Sequence, residues 1–452
     1  MRLQGRTAPL SFGEGSGEGS LRTMCALLFL LIALTISSCR APWDATTIAP
    51  SDPVEDMLAH YLPLLDFAPD DPAYFDDMFT EGKKFTPTLS EPLWLVPSAM
   101  LPKGVHPQKS NNNVSISIFK NRLYVAFRTG PTHFASKKTG MYIISTADGQ
   151  TWRKEMEFFL GRDFREPHLV PVDGRLHFYC FAAGQSMTAF EPDFISLCTT
   201  DGSGTWDGPQ NVLDKGEVHW EMKPRNGQLW MTSYSGSHYQ VRGDVKVNLH
   251  LKHGTDGVNW TSLGDSGRVY QGGVSETAFE FDREGNLWAV TRNEDGDATG
   301  FGSHVVYAPK DSLGQWQFPA VADPHCYMSP KMFRHGDELY LIARYQLGAR
   351  PFGRARRNRS MAWQRIVNWV GFSLSAKTTA LYRINQQTRQ VEWVMDLPGS
   401  GDTAFPSIIR LSRDRFLIAN YTSPPQRTFR PWLHGQLGRT GIYLMVVGFG
   451  GE

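Results

Sequence analysis

Ala147-Asp148-Gly149-Gln150-Thr151-Trp152 is a turn followed by an aromatic plug, and the chain repeats it. Asp201-Gly202-Ser203-Gly204-Thr205-Trp206 and Asp256-Gly257-Val258-Asn259-Trp260 are further copies; a weaker one ends in Gln315-Trp316 and a degenerate one in Glu392-Trp393. Asp-Gly supplies a side-chain acceptor and a residue that takes positive φ freely, the two needs of a tight turn between strands. Each tryptophan gives its repeat a large apolar side chain to bury. The first four tryptophans follow one another at steps of 54, 54 and 56 residues.

A second landmark keeps the same step. Glu166, Glu221 and Glu276 stand 55 residues apart, and one further step either way lands on Asn111 and Lys331. Each opens a short apolar segment, followed by a Gly- or Asn-containing turn and a second segment such as Arg175 to Phe181 or Asn286 to Val290. Three or four short strands per ~55 residues, repeated, predict the blades of an all-β propeller. Helical solenoids need longer stripes of period 3.6. The count is six: residues 350–375 insert into the fifth unit, and the sixth begins at Asp402-Thr403-Ala404-Phe405-Pro406. Leu93–Val96 is expected to complete the sixth sheet and close the ring, which removes exposed edges.

The bulk numbers agree with a folded body. The 452 residues are 41% hydrophobic and 12% aromatic, with 43 glycines and 28 prolines spread along the chain. Net charge is +1, so nothing steers the whole molecule to nucleic acid. Among five cysteines no CxxC pair occurs and HExxH spacing is absent, so no metal or cofactor is expected. Cys180 and Cys198 are positioned to meet across a hairpin, where an exported protein would be free to oxidise them.

Residues 25–36 (CALLFLLIALTI) are apolar, preceded by Arg22 and followed by Ser37-Ser38-Cys39. Twelve residues at about 1.5 Å each do not span a ~30 Å hydrocarbon core. A basic flank, a short apolar run and small residues form the layout of a signal peptide, over residues 1–39 with Met24 a second candidate start. Ile36-Ser37-Ser38-Cys39 resembles the bacterial lipobox, which implies cleavage before Cys39, lipidation of its thiol and a place in the cell envelope. Residues 40–90, rich in Asp and Pro, read as a tether with one short helix near Val54 to Leu65, leaving 91–452 for the propeller.

The turn Ser145 to Trp152, S-x-x-D-G-x-T-W, resembles the Asp-box of sialidases and related glycan-active propellers. The resemblance covers residues 91–452 and implies a sialidase-like six-bladed propeller. Sialidases grip a carboxylate with three arginines and use a tyrosine nucleophile, an activating glutamate and an acid/base aspartate. Ser275-Glu276-Thr277 through Arg292 looks like the family's fourth-blade pattern, and Arg344 is similar to another arginine of the three. Three elements depart from it: Asn111-Asn112-Asn113 replaces the first-blade Arg-Ile-Pro, His133 stands in a segment without aspartate, and Phe405 holds the tyrosine position. Phenylalanine cannot attack an anomeric carbon, which argues against standard sialidase chemistry.

From the residues alone, Glu166, Glu221 and Glu276 are expected to share one cup at the mouth of the channel. Crowded carboxylates raise one another's pKa and so divide acid from base work. A glycoside hydrolase needs such a pair. Arg128, Arg292 and Arg344 each close a second strand, where a guanidinium can grip an anion through two bonds. Lys331 shares the phase of the glutamates, and Tyr234, Tyr345 and Tyr421 sit at similar strand ends, placed to stack on sugars or, for Tyr421, to act chemically. The expected activity is glycoside hydrolysis of acidic sugars. Arg165-Glu166-Pro167-His168 and His133 also permit a second reading, a lyase on uronate chains with a histidine or tyrosine base beside an arginine, and a non-catalytic propeller that binds glycan or protein is the third. The expected partners are a glycan and, through a lipid, the membrane, with the chain acting as a monomer. The insertion at 350–375 offers a lid, a basic membrane-facing helix or a packing helix, with Met361, Ile366, Trp369 and Val370 on one face.

Overall fold

A computed structural model describes residues 52–66, 85–185, 191–240, 243–348, 352–353, 355–425 and 430–449. The expected signal peptide and Cys39 lie outside the described residues. The architecture is a six-bladed β-propeller. In every blade sequential strands pair antiparallel, and the six first strands contact one another in ring order around an axis.

Those first strands are Ser110–Phe119, Asp163–Val172, Val218–Arg225, Val274–Phe281, Met328–His335 and Ser407–Ser412. The Asp-Gly turns join third and fourth strands at equivalent places in blades 1, 2 and 3. Asp148 Oδ1 accepts the N–H groups of Gln150 and Thr151 at 2.9 and 2.7 Å, and Asp256 Oδ1 those of Val258 and Asn259 at 2.9 and 2.8 Å. Trp152 and Trp316 are buried and Trp206 and Trp260 pack at the edges of inter-blade cores. Trp393, of the degenerate copy, is 59% exposed and plugs nothing.

Blade 6 is completed from the other end of the chain, since Leu93–Val96 and Thr88–Leu89 both pair with its strand Gly441–Gly448. The helix Val54–Tyr61 is a docked part of the body. Val54, Met57 and Leu58, with Leu62, are buried in the core of blades 6 and 1. Leu58 abuts the first Asp-Gly turn so closely that a Cβ on Gly149 would lie 2.8 Å from its own. The tether expected over residues 40–90 therefore excludes this stretch. Among the described residues no helix is long and apolar enough to cross a membrane. Cys180, Cys198 and Cys326 are free thiols; Cys198 pairs in register with Phe178 and Cys180 with Ser196, so the first two sit diagonally.

One irregularity positions the site. The first strands of blades 1 to 5 each carry a register shift near their beginning, between Asn112 and Val114, Arg165 and His168, His219 and Met222, Val274 and Thr277, and Met328 and Lys331. A bulge breaks the in-out alternation and re-aims side chains. Asn113, Glu166 and Ser329 take φ of 45°, 51° and 50° in these bulges.

Candidate active site

The bulges separate the three glutamates that sequence spacing groups together. Glu221 and Glu276 immediately precede the first re-paired residue of their strands, Met222 and Thr277, whereas Glu166 immediately follows the last paired one, Arg165. Glu221 is fully buried further along the axis, 2.5 Å from Lys331, in a chamber also lined by Lys223, Glu280, Arg334 and Arg410. Trp220 bridges the axis itself: its Nε1 donates to Pro330 O in blade 5 at 3.0 Å, and its ring meets Phe405 of blade 6 at 5.3 Å. Glu221 and Lys331 thus form a structural ion pair outside the cup.

Glu166 and Glu276 do share a neighbourhood, in opposite condition. Burial pushes the Glu166 carboxyl up to about 8, and the charge of Glu276 adds to the rise. Asn113 donates to its Oε2 at 3.2 Å. Glu276 is ion-paired with Arg292 and accepts the N–H of Ser329 at 2.8 Å. Arg292 also pairs with Glu294 and donates to the Tyr239 hydroxyl at 2.6 Å. Tyr239 stacks on His238 at 3.7 Å and is 42% exposed, making it the open side of the cup.

A second group lies beside them. His133 Nδ1 is 2.7 Å from Asp402 Oδ2, with its side chain 12% exposed. Asp402 Oδ1 accepts from the Tyr421 hydroxyl at 3.1 Å and from Trp432 Nε1 at 3.2 Å. Burial raises the Asp402 carboxyl, but His133, Arg344 and Tyr421 more than offset it, so it is held below the usual carboxylate range. A carboxylate only accepts, so the shared proton sits on His133 Nδ1, and burial keeps the ring neutral by lowering its pKa. Its Nε2 has no hydrogen bond to the described residues. The two groups adjoin: Asn112 reaches His133 Nδ1 at 3.4 Å while Asn113 holds Glu166, and Arg165 donates to His133 O at 2.8 Å.

The remaining predicted residues serve the scaffold. Arg128 is wholly buried and spends its guanidinium on Asp163 (2.7 Å), Asn112 (3.1 Å) and the His133 carbonyl (3.1 Å). Arg344 donates to the carbonyls of Thr403 (2.6 Å) and Ala404 (3.0 Å), fixing the backbone next to Asp402. Arg292 is held by two carboxylates and Arg128 by one, while Arg344 bonds backbone carbonyls and brings its Nη1 to Met328 Sδ at 3.9 Å. Tyr421 is 1% exposed and serves Asp402, Tyr234 is buried edge-on against His238, and Tyr345 packs near Tyr382.

The insertion forms the helix Met361–Leu374, N-capped by Ser360. It buries Gln364, Arg365, Asn368 and Phe372, while Ile366 is exposed. The expected apolar face fails because this helix caps strand ends: Arg365 donates to Asp295 O at 2.7 Å and Trp369 to Glu294 O at 3.2 Å. It therefore walls the cup beside Arg292. Sequence reading missed the parts played by Asp402, Tyr239 and Glu294, of which Tyr239 and Glu294 follow no repeat; Arg165, expected with His133, does lie beside it. Among the described residues no group of three His, Cys, Asp or Glu is placed to hold a metal ion.

The fold has solved counterparts. A protein of unknown function from Dyadobacter fermentans superposes with a TM-score of 0.50 at 13% identity, covering 76% of this chain and 97% of that one. A Trypanosoma rangeli sialidase gives 0.49 at 12% identity over 79% and 59%, and a family 117 glycoside hydrolase of Zobellia galactanivorans gives 0.36 at 14% over 56% and 81%. At 13% identity the first of these likenesses is one of fold. No protein-family model and no curated protein matches the sequence.

Proposed function

We propose that this propeller is a glycan-cleaving enzyme, a glycoside hydrolase whose general acid is Glu166. The observation that carries the reading is a carboxyl held protonated at neutral pH, beside an ion-paired one, at the mouth of the axis. A leaving glycosidic oxygen needs a proton, and an acid of pKa near 8 keeps one at pH 7. Both oxygens of Glu276 are engaged, so it serves as fixed negative charge facing an oxocarbenium-like transition state. His133, oriented by Asp402 and unprotonated at Nε2, is the base that activates water. Water attack opposite the leaving group gives inversion.

A second reading has its own observation. Arg165 commits Nε and Nη2 to Asp163 and His133 O and keeps 18% of its side chain exposed. An arginine beside a neutral histidine suits uronate elimination, with His133 taking the proton at C5, the C4–O bond breaking, and Glu166 giving its proton to the departing oxygen. Incubation with a panel of neutral and acidic oligosaccharides tests both. New reducing ends without ultraviolet absorbance support hydrolysis, growth of unsaturated-uronate absorbance supports elimination, and neither with intact binding leaves a binding propeller. The lipobox motif supports an envelope location, which intact-mass analysis of the membrane fraction checks through an acylated Cys39.

A further inference from the structure

An open groove of about 600 Å³ crosses the face of the propeller that carries the cup, between blades 6 and 1. Its walls are strand ends: Trp94 and Pro97 from the outermost strand of blade 6, Lys109 and Asn111 from the start of blade 1, and Thr422 and Arg439 flanking the loop after Arg415–Thr422. Along the chain its lining residues neighbour those of the dyad. Asn111 precedes the residue that touches His133, and Thr422 follows the tyrosine that bonds Asp402.

Its chemistry is one-sided. Among the described residues Lys109 and Arg439 line the groove and no Asp or Glu does, and Lys109 Nζ donates to the Leu437 carbonyl at 2.7 Å. Trp94 is 36% exposed, its ring packed at 5.5 Å on Tyr443. An aromatic face fixed on one side and open on the other is a stacking platform for a sugar ring, and two cations without counter-charge complement carboxylate or sulfate groups.

We propose that this groove holds the continuation of an anionic glycan chain, uronate or sulfated, whose cleaved linkage lies in the cup. The proposal rests on the glycan reading of the cup, and it adds the rim cations Lys109 and Arg439 to the recognition of negative charge. An extended chain then meets Trp94 first, Lys109 and Arg439 next, and His133 last.

Isothermal titration of the purified protein with a chondroitin sulfate octasaccharide, a galacturonate hexamer and neutral cellohexaose tests it. Trp94→Ala and the double variant Lys109→Ala/Arg439→Ala, both melting as the wild type does, should weaken binding of at least one acidic oligomer by tenfold or more. The double variant should also flatten the salt dependence of that binding and leave cellohexaose unchanged. Wild-type affinity for every acidic oligomer in both variants, or no acidic oligomer bound by the wild type, overturns the groove. Weakened binding with no bond cleaved in any oligomer sustains the groove and sinks the catalytic reading instead.

Discussion

Asn113 donates to Glu166 Oε2 at 3.2 Å across the seam between blades 1 and 2, and both residues sit in bulges with φ near +50° (45° and 51°). Asparagine takes the left-handed region readily, whereas glutamate does so at a cost that surrounding structure has to offset. The bulge aims the Glu166 carboxyl away from its own strand, where burial and the Glu276 charge hold its proton.

Activity should therefore be carried by protonated Glu166, falling tenfold per unit above about pH 8 and level below it until His133, whose pKa burial lowers, takes up a second proton. Glu166→Gln should lower turnover by roughly 10²–10⁴ while binding persists. Asn113→Gly keeps the positive φ and removes a donor to the ionised carboxylate, so it should move the alkaline limb upward. An alkaline limb unmoved in Glu166→Gln would assign the titration to another group.

The same carboxyl makes a stability prediction that needs no substrate. Unfolded, a glutamate loses its proton near ~4.3; folded, Glu166 keeps it to about 8. In that window the folded state binds the extra proton, so its contribution to stability falls as pH rises. Glutamine does not titrate. Melting curves of Glu166→Gln and the wild type should diverge in favour of the variant between about pH 4.5 and 8 and run parallel above. Equal offsets at pH 5 and pH 9 would show that Glu166 titrates normally.

Arg292 holds Glu276 and Glu294 together, so Arg292→Met should leave two nearly buried carboxylates without their cation and cost roughly 3–5 kcal/mol. Adding Glu276→Gln to that variant should recover part of the loss, as denaturant titration of the single and double variants will read. Additive losses would mean that the three side chains are not coupled.

Much of the fold was legible because a repeat states the same fact several times. The Asp-Gly-x-x-Trp turns give the step, and the long-range partner Leu93–Val96 follows from ring closure. The cup was less legible. A constant 55-residue phase placed Glu221 with Glu276 correctly within the bulge, with Glu166 one residue out of that slot, but it could not show that Glu221 is buried against Lys331 while Glu276 and Glu166 are neighbours. Strand-end arginines were visible as a pattern, yet their partners were not: Asp163 and the carbonyls of Thr403 and Ala404 come from other strands and loops. The helix Val54–Tyr61 was seen as a helix, but its docking depends on the shape of a turn 90 residues later, formed around Gly149.

That docking has a measurable consequence. Leu58 is fully buried against the turn, so Leu58→Ala should destabilise the protein by about 2–5 kcal/mol. A segment that merely tethers the body would show no change in the melting curve.

His133 and Asp402 define the last expectation. Asp402 accepts from the imidazole Nδ1–H, from Tyr421 and from Trp432, which leaves Nε2 to carry the lone pair toward the cup. Asp402→Asn keeps the shape but brings an amide whose N–H₂ is free to donate to Nδ1, moving the ring proton to Nε2 and removing the base. Nitrogen-15 NMR of the labelled protein should show the Nδ1–H tautomer in the wild type and the Nε2–H tautomer in the variant. Turnover should drop by about 10²–10⁴ with oligosaccharide affinity little altered. His133→Gln should lose activity equally while leaving the Glu166 limb near pH 8 in whatever residual rate remains, because the two groups handle different protons. An Nε2–H tautomer in the wild type would remove His133 as the base, and products that retain rather than invert the anomeric configuration would then assign Glu276 as a nucleophile.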